Sequence, residues 1–254
     1  MRCEDAGAGR QPIRSRYRGL LAGDAMSEPA GEIIALIPAY NEGNHVRDVV
    51  EQACKYLPVV VVDDGSADGT GAAAALAGAK VIAHTVNRGK GAALNTGFEY
   101  AVTRNVAAAV TLDADGQHDP DEIPLFIEAF RAGQCDIIIG RRTFGQMPPV
   151  RRAANHAGNW LLGMAMGRPV PDNQSGYRLF SRDVLSNIRP TSARFEAEVE
   201  ILLRAQLAGY RIGWVPIKTI YAGEVSHFRP ARDVPLFLKM VGRIWVARRR
   251  GRFD

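Results

Sequence analysis

The chain has 254 residues, 46% of them hydrophobic and 23% charged, which fits a folded protein with a sizeable core and excludes a fibrous or wholly disordered one. Its net charge is +5, and its three cysteines (Cys3, Cys54, Cys135) stand far apart in no metal-ligand spacing, which argues against a disulfide framework or zinc site and for a reducing, cytoplasmic setting. No apolar run reaches the roughly 18 to 20 residues that span a bilayer, so any contact with a membrane is expected at its surface.

In chain order, residues 1–31 are rich in Arg and Gly and lack the apolar stretch of a secretory leader. They are expected to be a disordered extension, with Met26 as an alternative start. A globular domain is expected over 32–232 and a basic, amphipathic helix or tail over 233–254.

Short apolar runs follow at "EIIALIPAY" (32–40), "VVVVDDGS" (59–66), "KVIAHT" (80–85), "NVAAAVTLDAD" (105–115) and "CDIIIGRR" (135–142). Because they are continuous rather than alternating, they suit strands buried on both faces, as in a parallel sheet. Helical patterns over 44–56, 67–77, 89–104 and 120–132 separate them, and strand alternating with helix predicts an α/β, Rossmann-like fold.

In such sheets ligands collect at the carboxyl ends of the strands. Polar clusters stand there: Tyr40, Asn41 and Glu42 after the first run, Asp63 and Asp64 after the second, Asp113 and Asp115 after the fourth. Acidic clusters sharing one sheet edge repel one another unless a cation lies among them.

If the chain stays extended from Asp113 through Asp115 to Gln117, a period of two puts all three side chains on one side and leaves His118 out of phase. Three hard oxygen ligands suit Mg²⁺ or Mn²⁺ with positions left for water and phosphate. The alternative is a solvated acidic turn capping the next helix, and the other clusters favour the metal. An EF-hand is excluded, since His118 and Pro124 stand where its loop needs Gly and Glu. "NRGKGAALNTGF" (87–98) brings Lys90 and two glycines to a helix start, a phosphate-facing loop without a Walker or GxGxxG pattern.

After Arg142 the pattern changes. Between Gly140 and Val170 there are five Arg and no acid, and Trp160, Leu161, Leu162, Met164 and Met166 supply an apolar stripe over 145–169, as an interfacial helix would. "DNQSGYRLFSRD" (172–183) reads as a turn-rich joint, 194–210 as a helix, 211–217 as a strand and 233–250 as a basic helix. No aromatic-interleaved basic groove marks a nucleic-acid binder.

The stretches "IPAYNEG" (37–43), "VVVDDGSADGT" (60–70), "NRGKGAALNTGF", "DADGQHDP" (113–120), "GRR" (140–142), "DNQSGYRLFS" (172–181) and "SHFRPARD" (226–233) together resemble the family 2 glycosyltransferases of the GT-A fold, and within them the dolichyl-phosphate mannose synthase-like, polyprenyl-phosphate hexosyltransferase branch. The resemblance implies a mostly parallel sheet flanked by helices, with amphipathic helices toward the carboxyl end. It implies that Pro38, Tyr40, Glu42 and Asp64, with the backbone near Val62, contact the nucleotide, and that Lys90 and Ala114 line the same donor site. It makes Asp113, Asp115 and Gln117 the metal set, Arg142 with Arg151 or Arg152 the acceptor-phosphate set, and Asp172 and Arg178 neighbours of that site.

The implied activity is inverting, metal-dependent transfer of a hexose, mannose or glucose, from GDP-mannose or UDP-glucose to a polyprenyl or dolichyl phosphate at the cytoplasmic membrane face. Some relatives of this branch carry carboxy-terminal membrane spans, and no such apolar run occurs here. This leaves a peripheral enzyme, a subunit recruited by a membrane-protein partner or homo-oligomer, or an enzyme with a soluble acceptor. A catalytically silent nucleotide-sugar-binding protein is the rival of another class, and the intact Asp113, Asp115, Gln117 and Arg142 set argues against it.

Overall fold

The computed structural model describes residues 31–142, 149–167, 169–172, 175–192 and 196–218, with 241–243, 245, 246 and 249; of 149–157 it describes the helix but not the side chains. The expected amino-terminal extension, the 226–233 motif and most of the basic carboxy-terminal helix lie outside the described residues.

The predicted alternation is present. β1 (Ile33–Ala39), α1 (Val46–Ala53), β2 (Val59–Asp63), α2 (Thr70–Leu76), β3 (Lys80–Ala83), α3 (Lys90–Thr103) and β4 (Ala108–Thr111) form the first half. A 3₁₀ turn at Pro120–Glu122 leads into α4 (Ile123–Arg131), followed by β5 (Ile137–Arg142), α5 (Pro149–Met166), β6 (Arg178–Ser181), α6 (Arg182–Asn187), α7 (Glu196–Leu207) and β7 (Ile212–Ile217). They make one seven-stranded sheet in the order β3-β2-β1-β4-β6-β5-β7.

Alternate strand residues face opposite layers, as the period of two requires. Leu36, Val62, Ala109, Ile139 and Phe180 pack under α3, α5, α6 and α7. Ile37, Val61, Val110, Ile138 and Leu179 pack under α1, α2 and α4. Both faces of the central strands are therefore covered, which is why their sequences read as unbroken apolar runs.

The sheet is mostly parallel, as expected, and β6 is its antiparallel member, with Arg178 opposite Thr111 on β4 and Ile139 on β5. A four-residue strand that begins with a buried arginine has no apolar signature, and its segment reads as a joint. In addition, β4 ends at Thr111 rather than continuing toward Asp115.

The helix expected over 194–210 is α7, and Glu200 on it ties down the preceding segment. Its Oε1 accepts from the Thr191 N–H (3.0 Å), the Thr191 hydroxyl (2.9 Å) and Arg204 Nε (2.7 Å), and its Oε2 from the Ser192 N–H (2.9 Å). Burial opposes the charge, but these donors outweigh it and hold the carboxyl down at about 2. A folded-state pKa below the unfolded value gives stability that is complete above the unfolded pKa and is lost as pH falls toward the folded one. Urea unfolding should show the chain losing about 2 kcal/mol between pH 5 and pH 2 that a Glu200→Gln variant does not lose.

Candidate active site

The loops after β1 and β2 are laced together. The Asn41 N–H donates to Ser66 Oγ (3.0 Å), the Ala67 N–H to Asn41 Oδ1 (3.0 Å), the Glu42 N–H to Thr70 Oγ1 (2.8 Å) and the Gly43 N–H to Asp68 Oδ2 (2.9 Å). Asn41 sits at φ 55°, a left-handed position that asparagine tolerates better than most residues. This turn leaves the Tyr40 ring 47% exposed at the strand tip.

Asp63 and Asp64 serve the neighbouring loops. Asp63 Oδ1 accepts from the Ser66 N–H (2.9 Å) and shapes the turn after β2. Asp64 Oδ1 accepts from the Arg88 N–H (3.0 Å) and lies 2.6 Å from His84 Nδ1, while Oδ2 accepts from the Gly89 N–H (2.6 Å). Asp64 borders the cleft and is 2% exposed, and its carboxylate anchors the loop that starts α3. Val62 is fully buried inside β2 and stands beneath the cleft rather than on its wall.

The segment after β4 is a turn, not an extended strand. Gly116 takes φ 76°, and the Gln117 N–H donates back to Asp115 Oδ1 (3.0 Å). The period-two argument that aligned Asp113, Asp115 and Gln117 therefore fails. His118, read as out of phase, faces inward: its Nδ1 accepts from the Asp113 N–H (3.1 Å), and its ring lies 5.1 Å from that of Tyr177. Burial lowers its pKa, which keeps the imidazole neutral and able to accept that bond.

Asp113 is held by Lys90 and by the close approach of Gly176. Its Oδ1 lies 2.5 Å from Lys90 Nζ. A Cβ at position 176 would come within 2.6 Å of its Oδ2, so only glycine lets the carboxylate lie there. Burial opposes ionisation, but the Lys90 ammonium holds the Asp113 carboxyl well below the usual carboxylate range. Lys90 lies 2.6 Å from Glu198 as well, and the two carboxylates raise its pKa against the cost of burial.

At the end of β5, separated from β4 by β6, Arg142 forms a fork with the buried Asp172. Its Nε donates to Oδ2 (2.8 Å), its Nη2 to Oδ1 (3.0 Å) and its backbone N–H to Oδ2 (3.2 Å). Asn159 of α5 holds the preceding residue, donating to the Pro171 carbonyl (2.9 Å). The predicted helix over 145–169 is α5, and Arg151 and Arg152 lie in its first turns with side chains outside the described residues.

Arg178 differs from its expected place beside the acceptor. It is 1% exposed, and its guanidinium donates to the Ser175 carbonyl (2.8 Å) and the Glu198 carbonyl (2.8 Å), with the Glu198 carboxylate at 3.4 Å. It is an internal strut that locks β6 to α7.

Of the expected donor-site residues, Pro38, Tyr40, Glu42, Asp64, Lys90, Asp113, Ala114 and Asp115 come together around one cleft of about 350 Å³, with Asn87 and Gly89. Gln117, Arg142, Asp172 and Arg178 do not line it. Sequence reasoning missed Glu198 and His84, because an acid in a helix turn and a lone histidine after a strand carry no motif.

The donor set fits a divalent cation: the carboxylates of Asp113 and Asp115 on one cleft wall are hard oxygen donors. Among the described residues no three His, Cys, Asp or Glu side chains converge to hold a metal.

An α/β sheet with its cleft at the strand ends, an acidic turn after β4 and an arginine fork beside it define the GT-A class of transferase. The chain belongs to the family "Glycosyl transferase family 2", whose profile matches residues 34–189, and it is a glycosyltransferase. It is 34% identical over 215 residues to the UDP-N-acetylglucosamine–dolichyl-phosphate N-acetylglucosaminyltransferase of Methanococcus voltae, covering 74% of this chain and 86% of that one. It is 32% identical over 219 residues to the polyprenol monophosphomannose synthase of Mycolicibacterium smegmatis, covering 80% and 82%. Among solved structures, glucosyl-3-phosphoglycerate synthase of Mycobacterium tuberculosis, crystallised with Mn²⁺, UDP-glucose and phosphoglyceric acid, shares the fold with a TM-score of 0.68 at 18% identity, covering 98% of this chain and 87% of that one.

Proposed function

We propose that this glycosyltransferase moves a hexose, mannose or glucose, from GDP-mannose or UDP-glucose to a polyprenyl or dolichyl phosphate with inversion at the anomeric carbon. The observation that carries the reading is the pairing of two sites: a cleft walled by Asp113, Asp115 and Lys90, and an arginine fork at Arg142 on the adjoining part of the sheet. The relatives named above, one a dolichyl-phosphate transferase and one a polyprenol-phosphate transferase, support the acceptor class.

The donor diphosphate lies in the cleft, with Tyr40 and Glu42 toward the nucleoside. Lys90, at the start of α3, offers a positive charge to the phosphates beside the amino end of the helix. Asp113 and Asp115 are the residues that would hold Mg²⁺ or Mn²⁺, which when bound would offset the charge growing on the leaving nucleoside diphosphate.

A lipid monophosphate is already largely a dianion at neutral pH, its second pKa being near 6. It attacks the anomeric carbon directly, and the protein needs no strong general base. Arg142, preorganised by Asp172, and Arg151 or Arg152 hold this second anion against the first.

Attachment at the cytoplasmic membrane face completes the reading. Trp160 (64% exposed) and Met164 (52% exposed) lie one turn apart on α5, in the acid-free stretch with five arginines. Among the described residues no helix is long and apolar enough to cross a membrane, and a peripheral mode fits an outward apolar pair on a basic helix.

Arg142→Lys tests the acceptor assignment. It keeps the charge but loses the planar fork, and it should raise the KM for polyprenyl phosphate about tenfold with the donor KM unchanged within a factor of about two. Equal effects on both KM values would remove Arg142 from the acceptor side.

A further inference from the structure

Four charged side chains of alternating sign run inward from the cleft: Asp113, Lys90, Glu198 and Arg178. Asp113 Oδ1 lies 2.5 Å from Lys90 Nζ, Lys90 Nζ lies 2.6 Å from Glu198 Oε1, and Glu198 Oε2 lies 3.4 Å from Arg178 Nη2. They come from four separate elements: the turn after β4, the start of α3, the first turn of α7 and the start of β6. Lys90 is the central member, and the Lys90 side chain is 31% exposed while that of Glu198 is 10% exposed. Lys90 thus stands at the boundary between cleft and interior, with one carboxylate on each side.

This placement has a cost. A lysine in the first turn of a helix is opposed by the helix dipole, and a carboxylate occupied by an ammonium is a poorer ligand for a divalent ion. Both costs are offset if the lysine has a second carboxylate to rest on when the first is taken. Glu198 is that second carboxylate, held in place by Arg178 and by the Arg178 guanidinium bond to its own backbone carbonyl (2.8 Å).

Building on the metal reading of Asp113 and Asp115 proposed above, we propose that Lys90 is the cation that occupies Asp113 until a divalent ion arrives, and that Glu198 is the positioning residue on which Lys90 rests when Asp113 turns to the ion. Lys90 and the ion compete for Asp113 when no nucleotide is present. A nucleoside diphosphate relieves the competition, because it gives Lys90 an anion of its own inside the cleft. Metal and nucleotide therefore strengthen each other's binding by the same factor.

Manganese titration of the full chain tests this without any turnover, using the electron paramagnetic resonance signal of unbound Mn²⁺, alone and with UDP or GDP. Lys90→Met removes the competitor and should tighten Mn²⁺ alone about fivefold, and the gain from nucleotide should shrink by a similar factor. Glu198→Gln keeps the shape but leaves Lys90 with Asp113 as its carboxylate partner, and should weaken Mn²⁺ alone about fivefold. Opposite signs are the signature, since damage to the fold weakens binding in both variants. Lys90→Gln replaces Lys90→Met if circular dichroism shows that the latter does not fold. Wild-type binding with both variants unchanged, or both weakened, overturns the inference and leaves the metal site standing. A wild type that takes up no Mn²⁺ with or without nucleotide overturns both.

Discussion

Replacing Asp115 by asparagine is expected to lower kcat about a thousandfold while leaving the fold intact. Asparagine keeps an oxygen for the Gln117 N–H, so the turn around Gly116 survives. What disappears is one negative charge at the wall where the diphosphate is to leave. Asp115 is a cleaner position than Asp113 for this test, because Asp113 has Lys90 and the His118-linked backbone depending on it. Steady-state transfer assays at saturating Mn²⁺, with thermal unfolding as the control, measure the effect. Activity within tenfold of wild type removes Asp115 from the metal site.

Arg178→Met should instead act on stability. The substitution removes three contacts at once and leaves the Glu198 carboxylate and two carbonyls without their guanidinium inside the protein. Removing one partner of a buried ion pair costs about 3 to 5 kcal/mol. For a chain of this size that corresponds to a fall in Tm of roughly 10 °C. The outcome separates two roles for the same residue. A Tm within about 2 °C of wild type, together with a raised acceptor KM, would return Arg178 to the acceptor site where the sequence motif places it.

The frame of the fold was legible because burial on both faces writes itself into β1, β2, β4 and β5 as unbroken apolar runs, and the strand tips announced their polar clusters. β6 was not legible, because its buried first residue is an arginine made tolerable by Glu198, twenty positions further along the chain. The phase argument at "DADGQH" failed for a local reason. Gly116 permits a left-handed turn that alternation does not anticipate, so the side chain judged out of phase, His118, became the one that supports Asp113. Asp64 stands at the cleft where the strand-end pattern puts it, but its bonds from the Arg88 and Gly89 N–H groups, which anchor the start of α3, carry no sequence signal. Glu198 carried no sequence signal, since its importance comes from the packing of α7 beside α3 rather than from any motif.

Purified protein incubated with Mn²⁺ and a panel of radiolabelled nucleotide sugars, offered either a short polyprenyl phosphate or 3-phosphoglycerate, tests the central claim most directly. Label from one hexose donor is predicted to move into the organic phase with the polyprenyl phosphate, and EDTA is predicted to abolish that transfer. Label that remains in the aqueous phase, whether as free sugar or on phosphoglycerate, would contradict a lipid-phosphate acceptor.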